Sequence, residues 1–296
     1  FFVISIASLF GFTENLTGSH AESSNALLFG LSFYSASMAY LIAQERFTFR
    51  SVLSVSNPLL LSTGPIALFF QHISHKSLRK RVEYYFPFII VGTFMFLIIG
   101  TPLTEFFFLI DSTDIVSSLI FAAIFELFVY FNFCGLSLLI YGLFGVLGYR
   151  VPLNFNQPFS SSNIVEFWKG WHTSLSKVLK VLFYNPLRKR YSLIVALLGV
   201  YISSAMWHGV TFNFLLWGAF HALSFWLSIK LLRRNNVLLP LLLMPFIIVV
   251  GRLIFADSNT DRLLEKLIFS FDGFNALSEV LSCLLYTSPS PRDSDS

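Results

Sequence analysis

The 296-residue sequence predicts an all-α, polytopic helical membrane protein with a re-entrant segment and an interfacial amphipathic helix. Three observations predict it. Hydrophobic residues make up 55% of the chain, with a mean hydropathy of +0.71. Charged residues make up only 12%, about half the roughly 25% of an ordinary soluble domain, too few to cover a water-facing surface. The apolar residues are also gathered into runs near the ~20 residues that a membrane crossing requires. The same composition excludes disorder, collagen-like structure, coiled coil and a basic nucleic-acid-binding domain. Cys134 and Cys283 both lie in apolar runs and form neither a disulfide framework nor a metal-type spacing.

Taken in order, residues 1–12 read as the end of a span whose start precedes them, with no charged n-region and no cleavage-type small residues of a signal peptide. Further spans are expected at 25–43, 84–101, 191–207, 210–232 and 236–256. The longer run 115–148 is either a single broken helix or two short passes. Basic residues collect at Arg46 and Arg50, Lys76 to Arg81, Arg150, Lys177 to Arg190 and Lys230 to Arg234, all of which the positive-inside rule puts on the cytoplasmic face. Arg50 and Lys76 are then on one side, yet residues 52–72 between them are too few for two crossings. Pro58 and Gly64-Pro65 break helices there, so a re-entrant hairpin fits, with an interfacial helix as the alternative. The last ten residues, 287–296, have a linker-like composition and are expected to be a disordered, non-native tail to a membrane domain over 1–286, itself expected to be truncated at both ends.

Residues 163–182 differ from the spans. Asn163 with Glu166 three positions later reads as a helix start. At about 100° per residue, Ile164, Phe167, Trp168, Trp171, Leu175, Val178, Leu179 and Leu182 share one face. Glu166, Lys169, Thr173, Ser176, Lys177 and Lys180 share the other, the pattern of a helix lying in the cytoplasmic interface. His172 falls on the border between the faces. His208, His221, Glu126 and Asn132 lie inside apolar runs, where polar groups are costly and point to function. Imidazole can take a proton from a hydroxyl and return it near neutral pH, and Gly209 after His208 lets a substrate approach closely. No G-x-S-x-G elbow, P-loop, H-E-x-x-H or C-x-x-C is present, and no metal site is read. The sequon Asn15-Leu16-Thr17 carries no weight.

The strings Asn154-Phe155-Asn156-Gln157-Pro158-Phe159 and Phe167-Trp168-Lys169-Gly170-Trp171-His172-Thr173-Ser174-Leu175-Ser176 resemble the membrane-bound O-acyltransferase (MBOAT) family. The branch is that of alginate O-acetyltransferases and the D-alanyl transfer proteins of teichoic acids. Leu31-Ser32-Phe33-Tyr34, Gly64-Pro65-Ile66, Trp207-His208-Gly209 and Trp217-Gly218 with His221 match further family motifs in the same order. The resemblance covers roughly residues 27–275. It implies a chamber within the membrane, reached by an acyl donor from the cytoplasm and by an acceptor from the other face. His208 and His172 match the family's two prominent histidines and are the implied catalytic residues, with His208 as general base. Trp171, Trp207, Asn213, His221, Asn154 and Asn156 are the implied substrate-binding residues.

The resemblance further implies an integral protein of a bacterial inner (plasma) membrane. It would transfer an acyl group, acetyl first among the candidates, to a polysaccharide or other cell-envelope acceptor. No cofactor is implied: acetyl-CoA or an acyl carrier thioester serves as substrate, and an extracytoplasmic partner acyltransferase finishes the transfer. The chain departs from the family pattern in three places: at Asn132-Phe133-Cys134-Gly135-Leu136, where Asp-Phe-Ser-Gly-Tyr is usual; at Val181, where an acidic residue is usual; and at Ala43-Gln44-Glu45, where the segment often ends in Asp. Two other classes remain open: a transporter or channel using His208, His221, Glu126 and Asn132, and an inactive family member that scaffolds envelope proteins.

Overall fold

The computed structural model describes residues 34–56, 71–72, 76–104 and 115–256. The expected span at 1–12, the start of that at 25–43, the Pro58 and Gly64-Pro65 breaks of the re-entrant hairpin, Cys283 and the tail 287–296 lie outside them. Helix α1 covers 34–43, and α2 covers Phe49–Val55, whose first turn is capped by the Thr48 hydroxyl. A two-residue strand, β1 (Gln71–His72), pairs antiparallel with β2 (Tyr149–Arg150), in the register Gln71 opposite Arg150. This pairing ties Gln71 and His72 to the residues that follow the long helix.

Among the described residues four helices are long and apolar enough to cross a membrane. They are α3 (Leu78–Gly100), α4 (Ile115–Leu147), and α9 (Phe212–Arg233) and α10 (Leu238–Ala256) towards the end of the chain. The run left open between a broken helix and two passes is one continuous helix of 33 residues, α4. Between α4 and α9 lie α5 (Ile164–Gly170), α6 (Thr173–Leu179), a π-helical turn Lys180–Tyr184, α7 (Asn185–Arg190) and α8 (Leu193–His208). Val82, Phe86, Ile90, Phe94 and Leu97 form an exposed stripe along α3, and Leu238, Leu239, Leu242 and Phe246 one on α10. Continuous exposed apolar surface of this kind suits acyl chains and no aqueous neighbour.

The helices meet where side chains are small. On α3 and α4, Gly92 and Gly135 face one another: a Cβ on Gly92 would stand 2.6 Å from the Gly135 carbonyl oxygen, and one on Gly135 2.8 Å from that of Gly92. Gly218 of α9 lies equally close to α8, where a Cβ would stand 2.8 Å from the Tyr201 carbonyl. Leu197, Tyr201 and Ala222 fill the α8–α9 seam. The largest buried cluster joins Cys134 of α4 and Met244 and Ile248 of α10 to Phe155, Ile164, Phe167 and Trp171. The segment 154–171 is therefore seated in the bundle rather than laid on its surface. A Gly92→Val substitution forces α3 and α4 apart. It is expected to lower stability by about 1–3 kcal/mol, read as a fall in the thermal midpoint of the detergent-solubilised protein, with Gly92→Ala in between.

Candidate active site

The expected single helix over 163–182 is interrupted at Trp171–His172. The two faces predicted for it nevertheless hold: Ile164, Phe167, Trp171 and Val178 are buried, while Glu166, Lys169, Lys177 and Lys180 are exposed. α5 begins as its sequence predicts. The Asn163 side-chain oxygen accepts from the amides of Val165 (3.1 Å) and Glu166 (3.0 Å), and the Glu166 carboxylate accepts from the amide and hydroxyl of Ser162. These bonds hold the Glu166 carboxyl below its ordinary range.

The break has a specific cause. The chain at 153–156 runs beside it and takes up the polar groups that a continuous helix would have paired internally. The Asn156 amide donates to the Gly170 carbonyl (2.9 Å), the Thr173 amide to the Asn154 carbonyl (2.9 Å), and the Thr173 hydroxyl to the Leu153 carbonyl. The Ser174 hydroxyl donates to the Asn154 side-chain oxygen at 2.6 Å. Gly170 is required there, since a Cβ would stand 2.7 Å from the Asn156 carbonyl oxygen. His172 turns the corner in the left-handed region (φ 43°, ψ 56°), which costs a non-glycine residue about 1–3 kcal/mol. Its Nδ1 accepts from the Leu175 amide at 3.2 Å and so caps α6. An imidazole that accepts at Nδ1 carries its proton on Nε2.

His172 is buried, with its ring 4.8 Å from that of Phe133 and 6.2 Å from that of Trp207. Trp207 in turn adjoins His208, at 5.4 Å between ring centroids. The two predicted catalytic histidines therefore both neighbour one indole. Helix α8 is only 16 residues long, about 24 Å at 1.5 Å per residue, shorter than the ~30 Å hydrocarbon core. His208 is exposed at the C-terminal end of α8. The rings of Phe255 (4.9 Å), Phe214 and Trp217 (both 6.2 Å) stand around it.

The other predicted residues divide. His221 is brought in: it is buried in a box of Trp168 (5.0 Å), Trp217 (4.9 Å) and Tyr201 (6.1 Å), and fits only because Gly251 opposite has no side chain. Asn213 is fully buried in the first turn of α9, beside the turn that follows His208. Asn154 is fully buried, its oxygen taken by Ser174. Trp171 points away, into an aromatic core with Phe155 (5.1 Å), Phe167 (5.4 Å) and Tyr130 (6.0 Å). The Asn156 side chain is exposed. Glu126 is buried in an ion pair with Arg252 of α10, so it is not an isolated proton carrier. Arg252 was missed in the sequence, though a lone cation in the run 236–256 carries the same signal that singled out Glu126. Among the described residues no group of His, Cys, Asp or Glu could hold a metal ion.

Fold and site together define a polytopic helical membrane protein in which an exposed histidine stands among aromatic rings of neighbouring helices. The model of the membrane-bound O-acyltransferase family matches residues 59–256, and the chain belongs to that family. It is 36% identical over 164 residues to the probable alginate O-acetylase of Pseudomonas aeruginosa, covering 51% of this chain and 31% of that protein. It is 35% identical over 99 residues to the peptidoglycan O-acetyltransferase of Helicobacter pylori, covering 32% of this chain and 19% of that protein. It is also 25% identical over 184 residues to the teichoic acid D-alanyltransferase of Bacillus subtilis, covering 55% and 47%. The chain thus matches less than half the length of each of these relatives.

Burial, and then the charge of His208, push the His172 imidazole down to about 3, so it stays neutral in the fold. Unfolding lets it protonate below its ordinary value near 6.5. Its contribution is therefore complete above that pH and is lost as pH falls toward 3, by up to about 1.4 kcal/mol per pH unit. His172→Asn keeps a cap acceptor and tolerates the left-handed turn. The variant's thermal midpoint is expected to fall less between pH 7 and pH 4 than that of the wild type; equal falls would contradict the buried neutral state.

Proposed function

We propose that this protein is an O-acyltransferase that moves an acyl group, acetyl as the first candidate, from a cytoplasmic thioester to a hydroxyl of an envelope polysaccharide on the far side of a bacterial inner membrane. The observation that carries the reading is the pairing of an accessible imidazole, His208, with a buried one, His172, across Trp207, in a chain of this family. Accessibility suits a group that must meet a substrate. Burial and a committed Nδ1 suit one that holds the surrounding walls.

In the proposed reaction His208 accepts the proton of the acceptor hydroxyl while its oxygen attacks the acyl carbonyl. Trp207, Trp217, Phe214 and Phe255 form apolar walls against which donor and acceptor are held, and excluding bulk water favours transfer over hydrolysis. Asn213 and His221 support those walls from beneath. The donor, acetyl-CoA or an acyl carrier thioester, enters from the face marked by Lys177 to Arg190. An extracytoplasmic partner receives or completes the transfer. The names of the relatives, which concern alginate O-acetylation, peptidoglycan O-acetylation and teichoic acid D-alanylation, support an envelope polymer as the acceptor class.

His208→Ala is expected to reduce acyl transfer by about 100-fold or more, as loss of a general base does, while the protein still inserts and purifies normally. Undiminished transfer by that variant, measured with labelled acyl donor in membranes, would rule out the general-base role.

A further inference from the structure

Glu126 of α4 and Arg252 of α10 are opposite charges in two membrane-spanning helices, joined by a bond from Arg252 Nε to Glu126 Oε2, with side chains only 7% and 13% exposed. Burying such a pair costs several kcal/mol per ion in desolvation, and well-packed apolar residues hold helices together at least as well. A helix clamp is therefore an incomplete reason for it. Its position supplies another. The guanidinium stands 5.0 Å from the Phe255 ring, and the His208 ring stands 4.9 Å from that same ring. Trp217 is 5.5 Å from Phe255 and 4.9 Å from His221. The bond to Glu126 uses Nε and so does not occupy the terminal nitrogens of the guanidinium.

We propose that Arg252, oriented by Glu126, donates to the acyl carbonyl oxygen while that oxygen carries negative charge during transfer. The inference rests on the acyl-transfer reading above. In the first half of the step the acceptor oxygen forms a bond to the acyl carbon, the carbonyl π pair moves onto the carbonyl oxygen, and the hydroxyl proton passes to His208. In the second half the carbonyl re-forms, the carbon–sulfur bond breaks, and the departing thiolate takes the proton from His208. Charge gathers on the carbonyl oxygen only between these halves. A guanidinium already fixed by a carboxylate meets it without reorganising, which is where a donor in a water-poor site is worth most. Pairing with Glu126 also leaves the resting site without a lone charge to attract unrelated anions. His221, the other polar side chain on that wall, is 2% exposed and enclosed by aromatic rings, and so is less placed to reach a substrate.

The test separates a donor from a clamp. Glu126→Gln/Arg252→Gln replaces the ion pair by a neutral hydrogen-bonded one, and Glu126→Arg/Arg252→Glu reverses it. Each double variant of the full chain is assayed in membranes for transfer of labelled acetyl from acetyl-CoA and for thermal stability after solubilisation. The expected result is a turnover about 100-fold or more below wild type, the usual cost of losing one such donor, with KM for acetyl-CoA within a few-fold. At least one of the two variants is expected to keep a thermal midpoint near that of the wild type. Turnover at the wild-type rate in a stable double variant overturns the role. So does a rise in KM at unchanged turnover, or loss of turnover only in step with loss of folded protein in both variants. A wild-type protein that transfers no acyl group, and is no more active than His208→Ala, overturns the acyltransferase reading itself and this role with it.

Discussion

The bond from the Leu175 amide to His172 Nδ1 is small, but the arrangement of the site depends on it. It caps a helix at a residue held in the left-handed region, and so turns the chain at a point where the apolar face of 163–182 would otherwise run on unbroken. The strain is met by the bonds that 153–156 makes across the turn, which leave the backbone paired inside a bundle that offers no water. Because the chain turns there, Trp171 drops into the aromatic core, and the imidazole one residue later lies against Trp207. Asn154, Gly170, Thr173 and Ser174 are thereby explained as parts of one hinge: two side-chain bonds, one absent Cβ and a backbone ladder.

A second constraint is length. At 16 residues α8 is shorter than the hydrocarbon core is thick, and its last residue, His208, is exposed. The neighbouring helices place rings around its imidazole: Phe214 and Trp217 from α9, and Phe255 from α10. Gly251 gives up a side chain so that His221 can lie against Trp168, Trp217 and Tyr201. The one buried charge pair among the described residues, Glu126 with Arg252, sits on the same wall. On this side of α8 the two charges are paired with one another, while the His208 imidazole is exposed.

Much of this was legible in the sequence because a membrane makes composition and period decisive. The apolar runs located α3, α4, α8, α9 and α10, and Pro- and charge-rich stretches separated them. The alternation at 163–182 named the faces correctly, since burial follows period whether or not the helix is continuous. The break itself was not legible: Gly170 and His172 are tolerated within a helix pattern, and the bonds that favour the turn come from residues some 20 positions away. For the same reason Asn156 and Trp171 were grouped with the site by their motif, while the fold directs one side chain outward and the other into the core. The pairing of Glu126 with Arg252 spans 126 positions, and no local pattern could join them.

The central claim is that an acyl donor meets His208 in a crevice whose wall is shaped by the His172 turn. A cryo-electron microscopy map of the protein with a non-transferable thioether analogue of acetyl-CoA tests it most directly. The expected density places the analogue's carbonyl within hydrogen-bonding distance of His208, with Trp207 between that site and a buried His172. An analogue bound elsewhere, or a His172 lying at the bilayer surface on an unbroken helix, would contradict it.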